Sequence, residues 1–110
     1  MAGYFPSSYK SAGGSGSMVD FSTSEVDTGV KWIDGKNIYC IVYHYGTSLS
    51  SSWVSIGLNA NDYDTLISCT ALNSTNYSVQ ANIEKDGGYL KVSSGVSVAV
   101  TDFIIYYTKP

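Results

Sequence analysis

The run Val30-Lys31-Trp32-Ile33-Asp34-Gly35-Lys36-Asn37-Ile38-Tyr39-Cys40-Ile41-Val42-Tyr43-His44-Tyr45 decides the fold class. Asp34-Gly35 separates two stretches of extended-chain formers. A type I′ hairpin turn, which needs two residues tolerant of positive φ, is expected there. Beyond it, Ile38, Cys40, Val42 and His44 alternate with Tyr39, Ile41, Tyr43 and Tyr45, so a strand carries largely apolar side chains on both faces. Such a strand belongs inside a sheet or against another subunit, because a solvated face would be polar.

Working outward, Val26 to Ile33 reads as the partner strand. Ser22-Thr23-Ser24-Glu25 has capping-box spacing, yet no helical periodicity follows it, so at most one turn of helix is expected. Downstream, Gly46 to Ser52 reads as a serine-rich loop and Trp53-Val54-Ser55-Ile56 as a short strand, broken by Gly57 to Asp62. Thr65 to Leu72, Tyr77 to Lys85, Tyr89 to Val92 and Val96 to Thr108 follow as strands, punctuated by Asn73-Ser74-Thr75-Asn76, Asp86-Gly87-Gly88 and Ser93-Ser94-Gly95. The last run is apolar on both faces, which places it inside a sheet or an interface, since an exposed edge of that kind invites aggregation. The expectation is an all-β domain over 24–110, an antiparallel β-sandwich or jelly-roll-like fold of about seven strands with an extended N-terminal arm.

Composition narrows the function. Six lysines against nine acids, with no arginine, remove the bidentate groups that grip phosphate and guanine edges, so nucleic acid is not an expected partner. No apolar run reaches the roughly 18 residues of a membrane span, and Met1 to Pro6 lacks the basic and apolar parts of an export signal. Cys40 and Cys69 are then expected as free, half-buried thiols of a chain folded in a reducing cytosol. Two cysteines and the single His44 lack paired ligand spacing, and no cofactor or metal is expected.

The N-terminal residues divide into an aromatic peptide over 1–12 and a Gly/Ser-rich linker over 13–23. Tyr4, Phe5, Pro6 and Tyr9 read as an anchor, because three aromatics around a proline offer large apolar area in a restricted, extended backbone. Gly13 to Ser17 spans at most roughly 17 Å and acts as a swivel. Two plainer readings stand beside this: a disordered leader, or a joint placed ahead of Met18 as an original start.

Candidate chemistry elsewhere is weak. His44 has no glycine-flanked nucleophile to serve. Asn59, Asn61, Asp62 and Asp64 form an oxygen-rich cluster without the glycine and distal glutamate of a helix-loop-helix calcium site. Glu84, Asp86, Asp27 and Asp34 fall at turns and strand ends, not across a cleft as glycosidase carboxylates must. Asn73 and Asn76 match glycosylation acceptors but read as turn chemistry. Catalysis is not expected. Tyr45, Trp53, Tyr63 and Tyr77, with Tyr43, offer flat faces for a saccharide, while Trp32, Tyr39, Ile41, Tyr43, Phe103 and Ile105 read as core or oligomer interface.

The segment Gly29-Val30-Lys31-Trp32-Ile33-Asp34-Gly35-Lys36-Asn37-Ile38-Tyr39 resembles the G-x-x-W-I-D-G-K-x-I-Y motif that opens a short β-rich domain of virion proteins in phages and prophages of Gram-positive bacteria. The closing Ile104-Ile105-Tyr106-Tyr107-Thr108-Lys109 is similar to that family's last strand. The resemblance spans roughly residues 24 to 110, with specific matching only at 32–39. It implies a structural or receptor-facing domain of a fibre, tail tip or capsid decoration, assembled as a homo-oligomer, often a trimer. The resulting expectation is a non-enzymatic virion protein, assembled in the host cytoplasm and docked on a major capsid or tail protein. Read as a whole chain of 110 residues, it fits a capsid decoration or head fibre better than a tail fibre, which would carry a longer shaft. The alternative is a receptor-binding module holding a host cell-wall saccharide.

Overall fold

The structure is a computed structural model that describes residues 21–75 and 77–110. The anchor proposed at Tyr4, Phe5, Pro6 and Tyr9 and the connector over 13–17 lie outside the described residues. Eight strands run in order: β1 (Val26–Lys31), β2 (Asn37–Leu49), β3 (Val54–Asn59), β4 (Leu66–Asn73), β5 (Tyr77–Gln80), β6 (Asn82–Asp86), β7 (Tyr89–Ser93) and β8 (Val98–Thr108). They form an antiparallel five-stranded sheet, β1-β2-β8-β4-β5, packed on a three-stranded sheet, β3-β7-β6. The all-β sandwich read from the sequence is the fold observed.

The two strands that are apolar on both faces sit at the centre, as their composition requires. β8 lies between β2 and β4, with Ile41 opposite Ile105 and Tyr43 opposite Phe103 on one side and Cys69 opposite Ile105 on the other. The face holding Phe103, Ile105 and Tyr107 turns inward against Ile56, Leu90 and Val92 of the smaller sheet. Burying a side chain such as Phe103 or Ile105 contributes roughly 1.5–3 kcal/mol, so this seam supplies most of the cohesion.

Four local expectations are corrected. The first hairpin closes on a Trp32–Lys36 pair, with Trp32 N donating to Lys36 O and Gly35 N to Trp32 O, so three residues form the loop where two were expected. Gly35 at φ 88 takes the left-handed position, and the Asp34 carboxylate accepts from Lys36 N. β2 extends past Tyr45 to Leu49, since Gly46 at φ 78 absorbs a bulge and Thr47 to Leu49 resume pairing with Val98 to Val100. β3 runs through Gly57 to Asn59, beyond the expected break. The run Tyr77 to Lys85 divides at Ala81, whose N–H donates to Cys69 O, so one residue carries the chain from one sheet to the other and the count rises to eight.

Cys40 and Cys69 are free and each 1% exposed, deeper than the half-burial expected. Cys40 opposes Tyr106 and Cys69 opposes Ile105, consecutive residues of β8, so the thiols lie on opposite faces of the sheet and cannot bridge.

Candidate functional site

Strand polarity gives the sandwich two distinct ends. At one lie the hairpin 32–36, the 3-10 turn Ala60–Asp62, the turn at 87–88 and Lys109-Pro110. At the other lie the Gly46 bulge, the loop 50–53, the turn after Asn73 and the loop 94–97.

The first end is polar and locked. Tyr107, 2% exposed, donates its hydroxyl to Glu25 Oε2 at 2.8 Å, and Lys109 Nζ meets Glu25 Oε1 at 2.9 Å. The Tyr63 ring stands edge-on to Tyr107 at 4.5 Å, Tyr39 stacks on its other side at 6.1 Å, and Lys109 lies 5.0 Å over the Tyr39 ring. Burial, with the Glu25 charge added, raises the Tyr107 phenol far above its ordinary range, and burial followed by nearby carboxylates pushes Tyr63 up to about 12. Beside this cluster opens a shallow cavity of about 470 Å³ lined by Glu25, Ile41, Leu58, Asp62, Tyr107 and Lys109. Both oxygens of Glu25 are occupied, so its geometry is that of a clasp joining the approach to β1 with the end of β8.

The candidate chemistry resolves into ordinary structural roles. Asn59 caps the 3-10 turn by accepting from Asn61 N, Asp64 pairs with Lys36, and Lys85 Nζ donates to the carbonyls of Tyr63 and Asp64, so an ammonium sits where a cation was considered. Among the described residues no group of three His, Cys, Asp or Glu side chains is placed to hold a metal. Asp34 and Asp27 accept from backbone N–H groups within their own turns, and Asp86 pairs with Lys91. His44 pairs with Asp102 on an exposed surface, its ring 75% accessible.

The aromatics considered for saccharide contact separate. Tyr63 is 6% exposed and presents no free face. Tyr45 packs on Phe103 at 5.1 Å, half-buried. Trp53 and Tyr77 are 45% and 50% exposed, both at the second end. Among the expected core residues, Phe103 and Ile105 are fully buried, Tyr39, Ile41 and Tyr43 pack against the core half-buried, and Trp32 stays half-buried in the hairpin loop.

Sequence reasoning missed the second end's most distinctive property, which is written in the chain. Asn37 to Asn61, Thr65 to Ile83 and Val92 to Thr101 contain no Asp, Glu or Lys. The fold gathers the middles of these stretches at one end, which among the described residues therefore carries no formal charge, while Asp34, Lys36, Asp62, Asp64, Asp86 and Lys109 collect at the other. Between the tips of β2, β4 and β8 the uncharged end holds a groove of about 300 Å³, lined by Thr47, Ser48, Ser74, Val100 and Thr101 among others. Asn73 stiffens it, donating to Ala99 O and accepting from both N and Oγ1 of Thr75.

A third surface is the outer face of the larger sheet. Ile38, Val42, Leu72, Ile104 and Tyr106 form a half-exposed apolar stripe there, with the His44–Asp102 pair at one end of it. No family model, curated protein or solved structure matches the chain.

Proposed function

We propose that this protein is a non-enzymatic structural component of a bacteriophage virion, of the capsid-decoration or head-fibre type, held by its aromatic N-terminal arm and assembled from copies of itself. The outer sheet face carries the reading. The smaller sheet covers only the inner face, and among the described residues nothing covers the Val42–Ile104 stripe. Half-exposed aliphatic side chains in a contiguous, almost uncharged patch are the mark of a surface that meets protein. The W-I-D-G-K-x-I-Y resemblance supports the virion context and a trimer. Ser22 lies against β2, its carbonyl accepting from Val42 N at 2.9 Å.

Two measurements test this. Native mass of the full chain is expected to show an oligomer. Replacing Phe5 and Tyr9 with alanine is expected to release the protein from particles while leaving its far-ultraviolet circular dichroism unchanged, and full retention on the particle defeats the anchoring role.

A second reading, a receptor-binding module for host saccharide, is favoured by one observation, the exposure of Trp53 and Tyr77 at the end that lacks charge among the described residues.

A further inference from the structure

We infer that the cavity at the charged end of the sandwich is a binding site for a small neutral polyol of the sugar-ring class, with Tyr63 and Asp62 as its recognising pair. The inference stands apart from the virion reading and gives this end a role beyond holding the chain together.

The cavity, of about 470 Å³, lies within the range of small-ligand sites. Ile41 comes to it from β2 of the larger sheet and Leu58 from β3 of the smaller, both half-buried, so its inner lining is aliphatic. The rim is polar and exposed, with Asn61 and Asp62 from the 3-10 turn and Lys109 from the residues after β8. Tyr63 follows the turn directly and also lines the cavity. It is 6% exposed, yet among the described residues its hydroxyl has no hydrogen-bond partner. Tyr107, its edge-on neighbour, is as deeply buried and donates its own hydroxyl to Glu25. Buried polar groups are nearly always paired, and leaving one unpaired costs stability, so the Tyr63 hydroxyl marks a place where a group outside the chain completes the bond. The Asp62 carboxylate on the rim is likewise not engaged by any described residue.

Bonding capacity selects the ligand. Burial, followed by the charges of Asp62 and Glu25, pushes the Tyr63 phenol up to about 12, so at neutral pH it carries its proton and donates. Asp62 only accepts, while the Lys109 ammonium, with one donor spent on Glu25, has others to give. Ligand hydroxyls serve both sides, accepting from Tyr63 and Lys109 and donating to Asp62. A protonated amine satisfies Asp62 but has no lone pair for Tyr63. A carboxylate accepts from Tyr63 but has nothing to donate to Asp62, and it meets the negative charges of Asp62 and Glu25. A neutral polyhydroxylated ring answers every group on the rim and lays its C–H edges on Ile41 and Leu58.

Titration of the full chain with methyl β-glucopyranoside and myo-inositol, followed by amide chemical shifts, tests this, with glucosamine and glucuronate as the cationic and anionic comparisons. Saturable shifts are expected at Asn61, Tyr63 and Lys109 with a neutral probe, and weaker binding of both charged ones. Tyr63→Phe keeps the ring and Asp62→Ala changes an exposed position, and each is expected to weaken binding about tenfold, the worth of one hydrogen bond. Because no protein partner is lost, Tyr63→Phe is also expected to leave the urea midpoint unchanged or raised. A lower midpoint shows that the hydroxyl serves the fold and overturns the inference. So does the absence of shifts at about 50 mM neutral probe, or binding that survives both substitutions. Tighter binding of glucosamine or glucuronate overturns the ligand class. Maltose, titrated beside the glucoside, separates the sources: tighter binding places a glycan segment here, equal binding a free ring, and each supports the site.

Discussion

Glu25 joins two parts of the chain that are far apart in sequence, accepting from Tyr107 with one oxygen and from Lys109 with the other. Tyr107→Phe keeps the buried ring and removes the hydroxyl, so it is expected to lower stability by about 1–2 kcal/mol, the worth of a hydrogen bond to a charged group, read as a lower urea midpoint with unchanged slope. The same neighbourhood sets an alkaline limit. Burial holds the Cys69 thiol up at about 12, from an ordinary value of 9.0, and Tyr63 likewise up to about 12 from 10.0. A raised folded value means the native state keeps protons the unfolded chain releases, so this stability is fully present below pH 9 and is lost as pH climbs toward 12. Urea midpoints measured across that range are expected to fall steadily, and Cys69→Ala to remove the earliest part of the decline. None of this was legible in the sequence: Glu25 read as part of a capping box and Tyr63 as a surface aromatic, because the long-range pairing that buries Tyr63 and aims Tyr107 at Glu25 leaves no local trace.

Among the elements, β2 and β8 were the most legible, since a strand apolar on both faces has few places to go and both occupy the middle of the larger sheet. Boundaries were less so. Gly46 and Gly57 read as breaks, yet both lie inside strands. At Gly57 the reason is close approach: its N–H donates to the Tyr43 hydroxyl at 3.0 Å, and a Cβ at this position would stand 3.0 Å from that same oxygen. Gly57→Ala is therefore expected to destabilise by about 1–2 kcal/mol. In a Tyr43→Phe background the added methyl meets no hydroxyl, and the same substitution should cost clearly less. A double-mutant cycle on thermal midpoints checks the coupling, and simple additivity would contradict the packing described.

At the scale of the molecule, turn spacing and two-sided strands made the sandwich readable, whereas the pairing that sorts strands into sheets was not. The separation of charge between the two ends was present in the sequence as three long uncharged stretches, and only the fold shows that they converge. The outer face of the larger sheet gives a prediction at this scale. Val42→Glu places a carboxylate beside Ile104 in the middle of the apolar stripe, at a half-exposed position that leaves the core intact. It is expected to shift the native mass of the full chain from oligomer toward monomer without altering circular dichroism. Persistence of the oligomer would move the interface elsewhere.

The crossing at Ala81 bears on how such a domain breathes. One residue links β5 to β6, while four, Ser50 to Trp53, link β2 to β3 on the far side. The two sheets are thus bound like the covers of a book, with a tight spine at Ala81 and a looser fore-edge along β1 and β3. Transient opening is expected to begin at that fore-edge, so amide hydrogen exchange should be faster along β1 and β3 than around Cys69, beside the spine.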